Sequence, residues 1–228
     1  MTKELNFDEI IEQLKAADDA YFNTGSVILT DLEYDSLKRT AEKINPKHPY
    51  FLQVGADVRS GKTKLPYPMN GLTQIYDIRE WITDQNLESE DIIITDKLDG
   101  ASNLVIYADK DGDGEAEFII AYSRGNSLEG ADISRHVKHM NFPKKIPGYG
   151  LFVLRAENIM KENIFQDKYK GQYATARAMV AGCMNRTETD VNILKDINLV
   201  AYTILASDKV PLNKIDSLQE LKRLGFEV

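Results

Sequence analysis

Ile92-Ile93-Ile94-Thr95-Asp96-Lys97-Leu98-Asp99-Gly100 sets an apolar run directly ahead of a Lys-x-Asp-Gly tetrapeptide. The run reads as a strand, and in an extended chain the side chains of Lys97 and Asp99 point the same way. Both polar heads then meet one space, and Gly100 lets the backbone turn tightly or approach a ligand closely. That arrangement suits a lysine amine that attacks phosphorus and keeps a nucleotide covalently. Taken by itself the tetrapeptide fits a solvated Lys–Asp pair in a hairpin equally well, because short motifs often arise by chance.

Downstream, residues 102–107 and 118–122 read as two strands joined by a turn at 109–114. Asp109, Asp111 and Asp113 are spaced like the start of a calcium loop, but Ile120 stands where that loop needs a bidentate acid, so a hairpin turn is the better reading. Residues 151–155 form another strand leading to Glu157. Residues 173–184 are helix-like, 199–205 a strand and 215–224 a closing helix. Strands mixed irregularly with helices predict an α+β domain with an antiparallel sheet.

Upstream, Phe7, Ile10, Ile11, Leu14 and Ala17 recur at helical spacing over 6–18. A second helix starts at the capping box Thr30-Asp31-Leu32-Glu33, runs an apolar face through Tyr34, Leu37, Ala41 and Ile44, and ends before Pro46. Residues 75–87 predict a short helix around Trp81. The expected organisation is a small helical module over 1–50, a Gly/Pro-broken linker over 51–68, and a larger domain over 69–228.

Composition narrows the function. The 228 residues are 43% hydrophobic and 28% charged, ordinary for a globular chain. Cys183 is the sole cysteine, which excludes an internal disulfide and a multi-thiolate zinc site and suggests a reducing compartment, most simply a cytoplasm. No apolar run reaches membrane-spanning length and no signal peptide is visible. The net charge of −8 argues against a dedicated DNA clamp, although Lys138, His139, Lys144 and Lys145 cluster weakly.

Further short motifs follow the Lys97 tetrapeptide in order: Ser123-Arg124-Gly125 with Gly130 and Asp132, Leu154-Arg155-Ala156-Glu157, Ala174-Thr175-Ala176-Arg177 with Val180-Ala181-Gly182, and Val200-Ala201-Tyr202. Together they resemble the adenylation domain of the NAD-dependent DNA ligases. The N-terminal module, through Tyr21 and Asp31-Leu32-Glu33-Tyr34-Asp35, resembles the nicotinamide-mononucleotide-binding (Ia) domain that separates these enzymes from ATP-dependent ligases. Pro68-Met69 followed by Leu72 looks like the mouth of the family's adenine pocket.

The resemblance implies roles. Lys97 would be the nucleophile that takes AMP from NAD. Asp99 and Glu157 would hold ribose hydroxyls or help place Mg2+. Arg124 and Arg177 would neutralise phosphate, and Leu72 would lie against adenine. Tyr21, Asp31, Tyr34 and Asp35 would grip the nicotinamide half; the last three fall at i, i+3 and i+4 on one helix face. Cations near Lys97 would lower its pKa and so free the amine to attack. The AMP would pass to the 5′-phosphate of nicked double-stranded DNA, in a bacterial or phage-infected cytoplasm.

Each residue also has a plain alternative. Arg177 could be a surface arginine and Glu157 a solvated edge residue. Asp31 and Asp35 could serve the positive end of their helix, and Tyr34 could be core. Several positions depart from the family: Phe22 replaces a histidine, Thr95 a glutamate, Asn126-Ser127 an Asp-Gly pair and Ala156 a glycine. The sequence stops before the family's Asp-Gly-Val-Val-Val-Lys segment, so the adenylation domain is expected to be C-terminally incomplete. It would be a piece of a longer ligase or, slightly favoured by the start at Met1, the N-terminal subunit of a split bacteriophage ligase needing a C-terminal partner. Two further readings remain open: a non-catalytic NAD-, AMP- or partner-binding module, opposed by intact Lys97, Asp99, Arg124 and Glu157, and an ATP-dependent polynucleotide ligase, opposed by the N-terminal Tyr/Asp module.

Overall fold

Two reciprocally capped helices begin the chain in the computed structural model, which describes residues 6–20, 27–52, 61–87, 90, 92–209 and 212–228. In α1 (Phe7–Asp19) the Asn6 side chain accepts from the Glu9 amide while Glu9 accepts from the Asn6 amide. In α2 (Asp31–Ile44) Thr30 and Glu33 do the same, as the sequence predicts. Each box satisfies amides that a helix start leaves orphaned. The helices bury Ile10, Ile11, Leu14 and Ala41, with Phe7, Tyr34, Leu37, Tyr50 and Phe51 packed on them. A 3-10 turn (Pro49–Leu52) delivers Tyr50 to this core.

The main sheet is antiparallel, with strands β2 (Ala101–Ala108), β3 (Glu115–Ser123), β5 (Lys145–Pro147), β6 (Leu151–Met160) and β7 (Ile197–Ser207) in the order β5-β3-β2-β6-β7. A separate pair joins β1 (Lys62–Lys64) to β4 (Glu129–Ala131). Residues 62–68 were expected to be linker; instead they supply β1 and the buried Leu65. An α+β architecture with an antiparallel sheet is therefore observed.

One sheet face carries the large core. Val105, Tyr107, Phe152, Leu154 and Ala156 point into it, covered by α4 (Ser134–Val137), α5 (Glu162–Lys168), α6 (Ala176–Asn185), α7 (Val191–Asp196) and α8 (Lys214–Arg223). Period-2 alternation sends their neighbours to the other face. There Leu104 and Val153 meet Leu65 and Met69 in a smaller cluster, leaving Ser102, Arg155 and Glu157 farther along. On the core face, Asn103 and Asn158 are fully buried and bonded to each other, Nδ2 to Oδ1 at 2.7 Å.

The turn between β2 and β3 is a hairpin turn, as expected. The Asp109 carboxylate accepts from the amides of Asp111, Gly112 and Gly114, and Gly112 and Gly114 have positive φ. The expected strand at 92–97 is not formed. Residues 92–99 pair with none of the described strands, and Ile92 and Ile94 are exposed. An apolar β-branched run favours extended chain, but a strand exists only where a neighbour takes its amides and carbonyls. The helix expected over 75–87 is shorter, α3 (Ile78–Asp84), and buries none of its residues. Among the described residues no helix is long and apolar enough to cross a membrane.

Candidate active site

Glu157 is the centre of the site. It lies on β6 directly opposite Ser102 of β2, is 7% exposed, and accepts the Ser102 hydroxyl at 2.6 Å. Burial pushes its carboxyl up; the Ser102 bond, the Arg124 charge, the Gly100 amide and the Lys97 charge pull it back down. Four donors or cations thus converge on one buried acid. The solvated-edge reading of Glu157 is excluded by its burial.

Lys97 lies on the irregular, exposed stretch before β2, and its charge acts on this acid. Gly100 matters to the strand start, though for a different reason from the one read in the sequence. It is not left-handed; a Cβ built on it would lie 2.0 Å from the Asn158 carbonyl oxygen. Its bare backbone lets the chain close onto β6 directly after Asp99, at the start of β2. Arg124 follows β3, and its amide donates to the Ser102 carbonyl at 3.2 Å. The turn after it needs Gly125, which has φ +53 and whose Cβ would fall 1.9 Å from the Glu129 carbonyl.

Arg177, from the first turn of α6, pairs with Asp99. Its side chain is 20% exposed and burial brings its pKa down to about 10, so it stays charged at neutral pH. It is therefore not a free surface arginine. Near the start of β2, Asp99 thus pairs with Arg177, and Glu157 feels the charges of Lys97 and Arg124.

Leu72 is 77% exposed and follows the Pro68–Asn70 segment. Arg155, two residues before Glu157, donates to the carbonyls of Pro68 at 2.5 Å and Asn70 at 3.4 Å. In the helical module, the Tyr34 hydroxyl donates to Asp18 at 2.9 Å and contacts the Tyr50 hydroxyl, which also bonds Asp18 at 2.7 Å. Burial raises all three groups above their usual values. Tyr34 is thus partly core, and its phenol is held by α1. Asp35 accepts a long 3.5 Å bond from Gln74, and the Arg39 guanidinium lies 4.6 Å from the Tyr76 ring centre. These two contacts tie α2 to the segment just past Leu72. Tyr21 lies outside the described residues, as does the side chain of Asp31, the first residue of α2.

The sequence reading missed Ser102, Arg155, Asp18 and Tyr50. Ser102 and Arg155 were legible only as alternation along strands whose partners were unknown. Asp18 and Tyr50 lie far from Tyr34 in sequence and carry no motif.

Among the described residues no group of three or more His, Cys, Asp or Glu side chains could hold a metal. Asp99 and Glu157 do offer two carboxylates. Mg2+ is commonly held by one or two carboxylates together with substrate phosphates and water; here Asp99 pairs with Arg177 and Glu157 accepts from Ser102.

Residues 63–228 match the NAD-dependent DNA ligase adenylation domain. The chain is 33% identical to "Putative DNA ligase 205R" of Invertebrate iridescent virus 6, over 96% of this chain and 34% of that protein. It is 31% identical to a DNA ligase of Acanthamoeba polyphaga mimivirus, over 98% and 34%. To a DNA ligase of Acidiphilium cryptum it is 26% identical, over 96% and 35%. The chain spans about a third of the length of these curated relatives.

Proposed function

The chain belongs to the NAD-dependent DNA ligase family through its adenylation domain, and from that premise we propose that it forms lysyl-AMP at Lys97. The neutral amine attacks the α-phosphorus of NAD. A P–N bond forms, the pyrophosphate P–O bond breaks, nicotinamide mononucleotide leaves with the electron pair, and the amine sheds a proton to solvent. The AMP then passes to the 5′-phosphate of nicked double-stranded DNA, and a 3′-hydroxyl displaces it.

The observation that carries this reading is the buried Glu157, bonded to Ser102 and the Gly100 amide and within the field of Arg124 and Lys97. A carboxylate held this way can accept ribose hydroxyls at a fixed height above the sheet. Arg124 and Arg177 supply the positive field that phosphate binding and charge build-up on the α-phosphate require. Mg2+, held by Asp99 and Glu157 with phosphate oxygens, would add Lewis-acid stabilisation of that charge. Leu72 would lie against adenine. Tyr34, steadied by Asp18 and Tyr50, would present its ring to nicotinamide, with Tyr21, Asp31 and Asp35 on the adjoining ribose and phosphate. The boundaries 1–50, 51–68 and 69–228 divide the labour between the nicotinamide module and the adenylation domain, with 62–68 working structurally as part of the latter. Sealing would require a C-terminal partner chain or domain carrying the remaining DNA-binding elements, and a cytoplasmic setting suits the lone unpaired cysteine.

The test is covalent labelling from NAD or ATP radiolabelled in the adenylate, with and without a C-terminal ligase fragment. Label from NAD alone, lost in Lys97→Ala with an unchanged melting curve, is expected. Label from ATP alone, label that survives Lys97→Ala, or no label under any condition would each overturn the proposal.

A further inference from the structure

Arg155 directs its guanidinium at main chain, and among the described residues it pairs with no acid. One terminal nitrogen donates to the Pro68 carbonyl at 2.5 Å and the other to the Asn70 carbonyl at 3.4 Å. Its Nε is buried without a partner, an arrangement that proteins avoid unless the geometry is otherwise fixed. Between those two carbonyls, the Met69 amide points the other way and donates to Ser127 at 2.8 Å. The Met69 side chain, 1% exposed, fills the small cluster with Leu65, Leu104 and Val153. The segment is therefore stretched between two anchors. One is the turn that follows Arg124, and the other is the strand that carries Glu157.

Resting on the reading of the site given above, we propose that Arg155 is a positioning residue for nucleotide binding. It sets the Pro68–Asn70 backbone so that Gly71 and Leu72 form a wall of the cleft at a fixed distance from Glu157. Residues 155 and 157 share one face of β6 and stand about 7 Å apart along the strand. The wall and the acid are thus referenced to the same rigid element. The planar fork of an arginine can span two carbonyls at once; a lysine ammonium on a flexible stem holds neither in a defined plane. Arg155 acts through the wall, so it should govern how well a dinucleotide is held more than how fast the bound one reacts.

The experiment compares Arg155→Met and Arg155→Lys with the unaltered chain. NAD affinity is measured by titration calorimetry in a Lys97→Ala background, where no transfer can occur. Amide exchange is followed at Met69, Gly71 and Leu72, and labelling is followed at saturating NAD. Loss of a charge-assisted pair of hydrogen bonds is expected to weaken NAD binding by about tenfold or more in Arg155→Met. Arg155→Lys should recover only part of that loss. Exchange should quicken at 69–72 while β2 and β6 stay protected, and saturating labelling should remain within about threefold of the original rate. Unchanged affinity in both variants would overturn the inference. So would parallel loss of affinity, of saturating rate and of β6 protection, which would mark a purely structural role, or a lack of NAD binding by the unaltered chain. If NAD binds and Arg155→Met weakens it, yet Lys97 never takes label, the covalent reading falls and the positioning role of Arg155 stands.

Discussion

Gly100→Ala should separate positioning from chemistry more sharply than removal of any charged residue. A Cβ at 100 would lie 2.0 Å from the Asn158 carbonyl oxygen and 3.0 Å from Ile159 Cγ2. Relief to an ordinary 3.4 Å contact requires the start of β2 to lift from β6 by about 1.4 Å. The lift acts on Ala101↔Asn158 and Ser102↔Glu157 first. It therefore stretches the 2.6 Å Ser102–Glu157 bond and the Gly100 amide contact to the same carboxylate. Overpacking of this kind costs about 1–3 kcal/mol, and a weakened hydrogen bond to a charged group adds about 1.5–3. For a chain of this size the melting temperature should fall by roughly 5–15 °C. The amine of Lys97 moves with the strand start, and a displacement of about 1 Å can slow a positioned reaction about 100-fold. Covalent labelling from NAD, timed at a temperature where calorimetry finds the variant folded, reads this directly. A variant that melts and labels like the original would refute the argument that the absent side chain serves strand contact.

Ser127 occupies φ +80, and its hydroxyl is buried without a partner among the described residues. Ser127→Gly should stabilise the chain by about 1 kcal/mol, since relief of the left-handed strain outweighs the entropy glycine adds to the unfolded chain. A lower melting temperature would count against this. Glu220 accepts from Arg223 and Tyr149, and the Arg223 bond draws its carboxyl from 4.5 down to about 2. A lowered folded pKa stabilises above the unfolded value and is lost as pH falls through the folded one. With Arg223 57% exposed and screened, Glu220→Gln should cost about 1 kcal/mol at pH 7. That deficit should shrink between pH 4.5 and pH 2, and a deficit of constant size in acid would show that the ion pair is not its source. Asp35→Ala should impair labelling from NAD while sparing the sealing of a pre-adenylylated nick when a C-terminal partner is supplied. Equal loss of both activities would remove Asp35 from the nicotinamide site.

Local signals in the sequence survived wherever the structure makes them local. The Thr30–Glu33 capping box, the Asp109–Gly114 turn and the alternation through β2 and β6 each depend on residues a few positions apart. Lys97 misled on secondary structure because Ile92–Ile94 carries the composition of a strand, whereas strandedness depends on a neighbour that no local pattern reveals. Glu157 and Arg177 were identified as functional candidates, but their burial and partners come from Ser102 and Asp99, 55 and 78 positions away. Arg155 was quoted within a motif and given no role. Its partners are two backbone carbonyls, and side-chain identity says nothing of where carbonyls point. Tyr34 combined both readings, being at once a core residue and a candidate ring platform, because α1 supplies the acid that holds its hydroxyl.

The paired amides of Asn103 and Asn158 guard against an error that hydrophobicity alone would permit. A one-position slip between β2 and β6 would turn every side chain over and expose the core, so it is strongly disfavoured. A two-position slip keeps apolar residues facing inward, with Val105, Tyr107, Phe152 and Leu154 merely trading partners. Slid one way, Asn103 would face Leu154 and two amides would be stranded in a dry interior, at about 1–3 kcal/mol each. Slid the other way, Asn103 would face Asn158 directly, and the cost would fall on Ser102, which would face Ile159 in place of Glu157. The amide pair thus disfavours one slip, and only the native threading sets Ser102 across from the acid it serves.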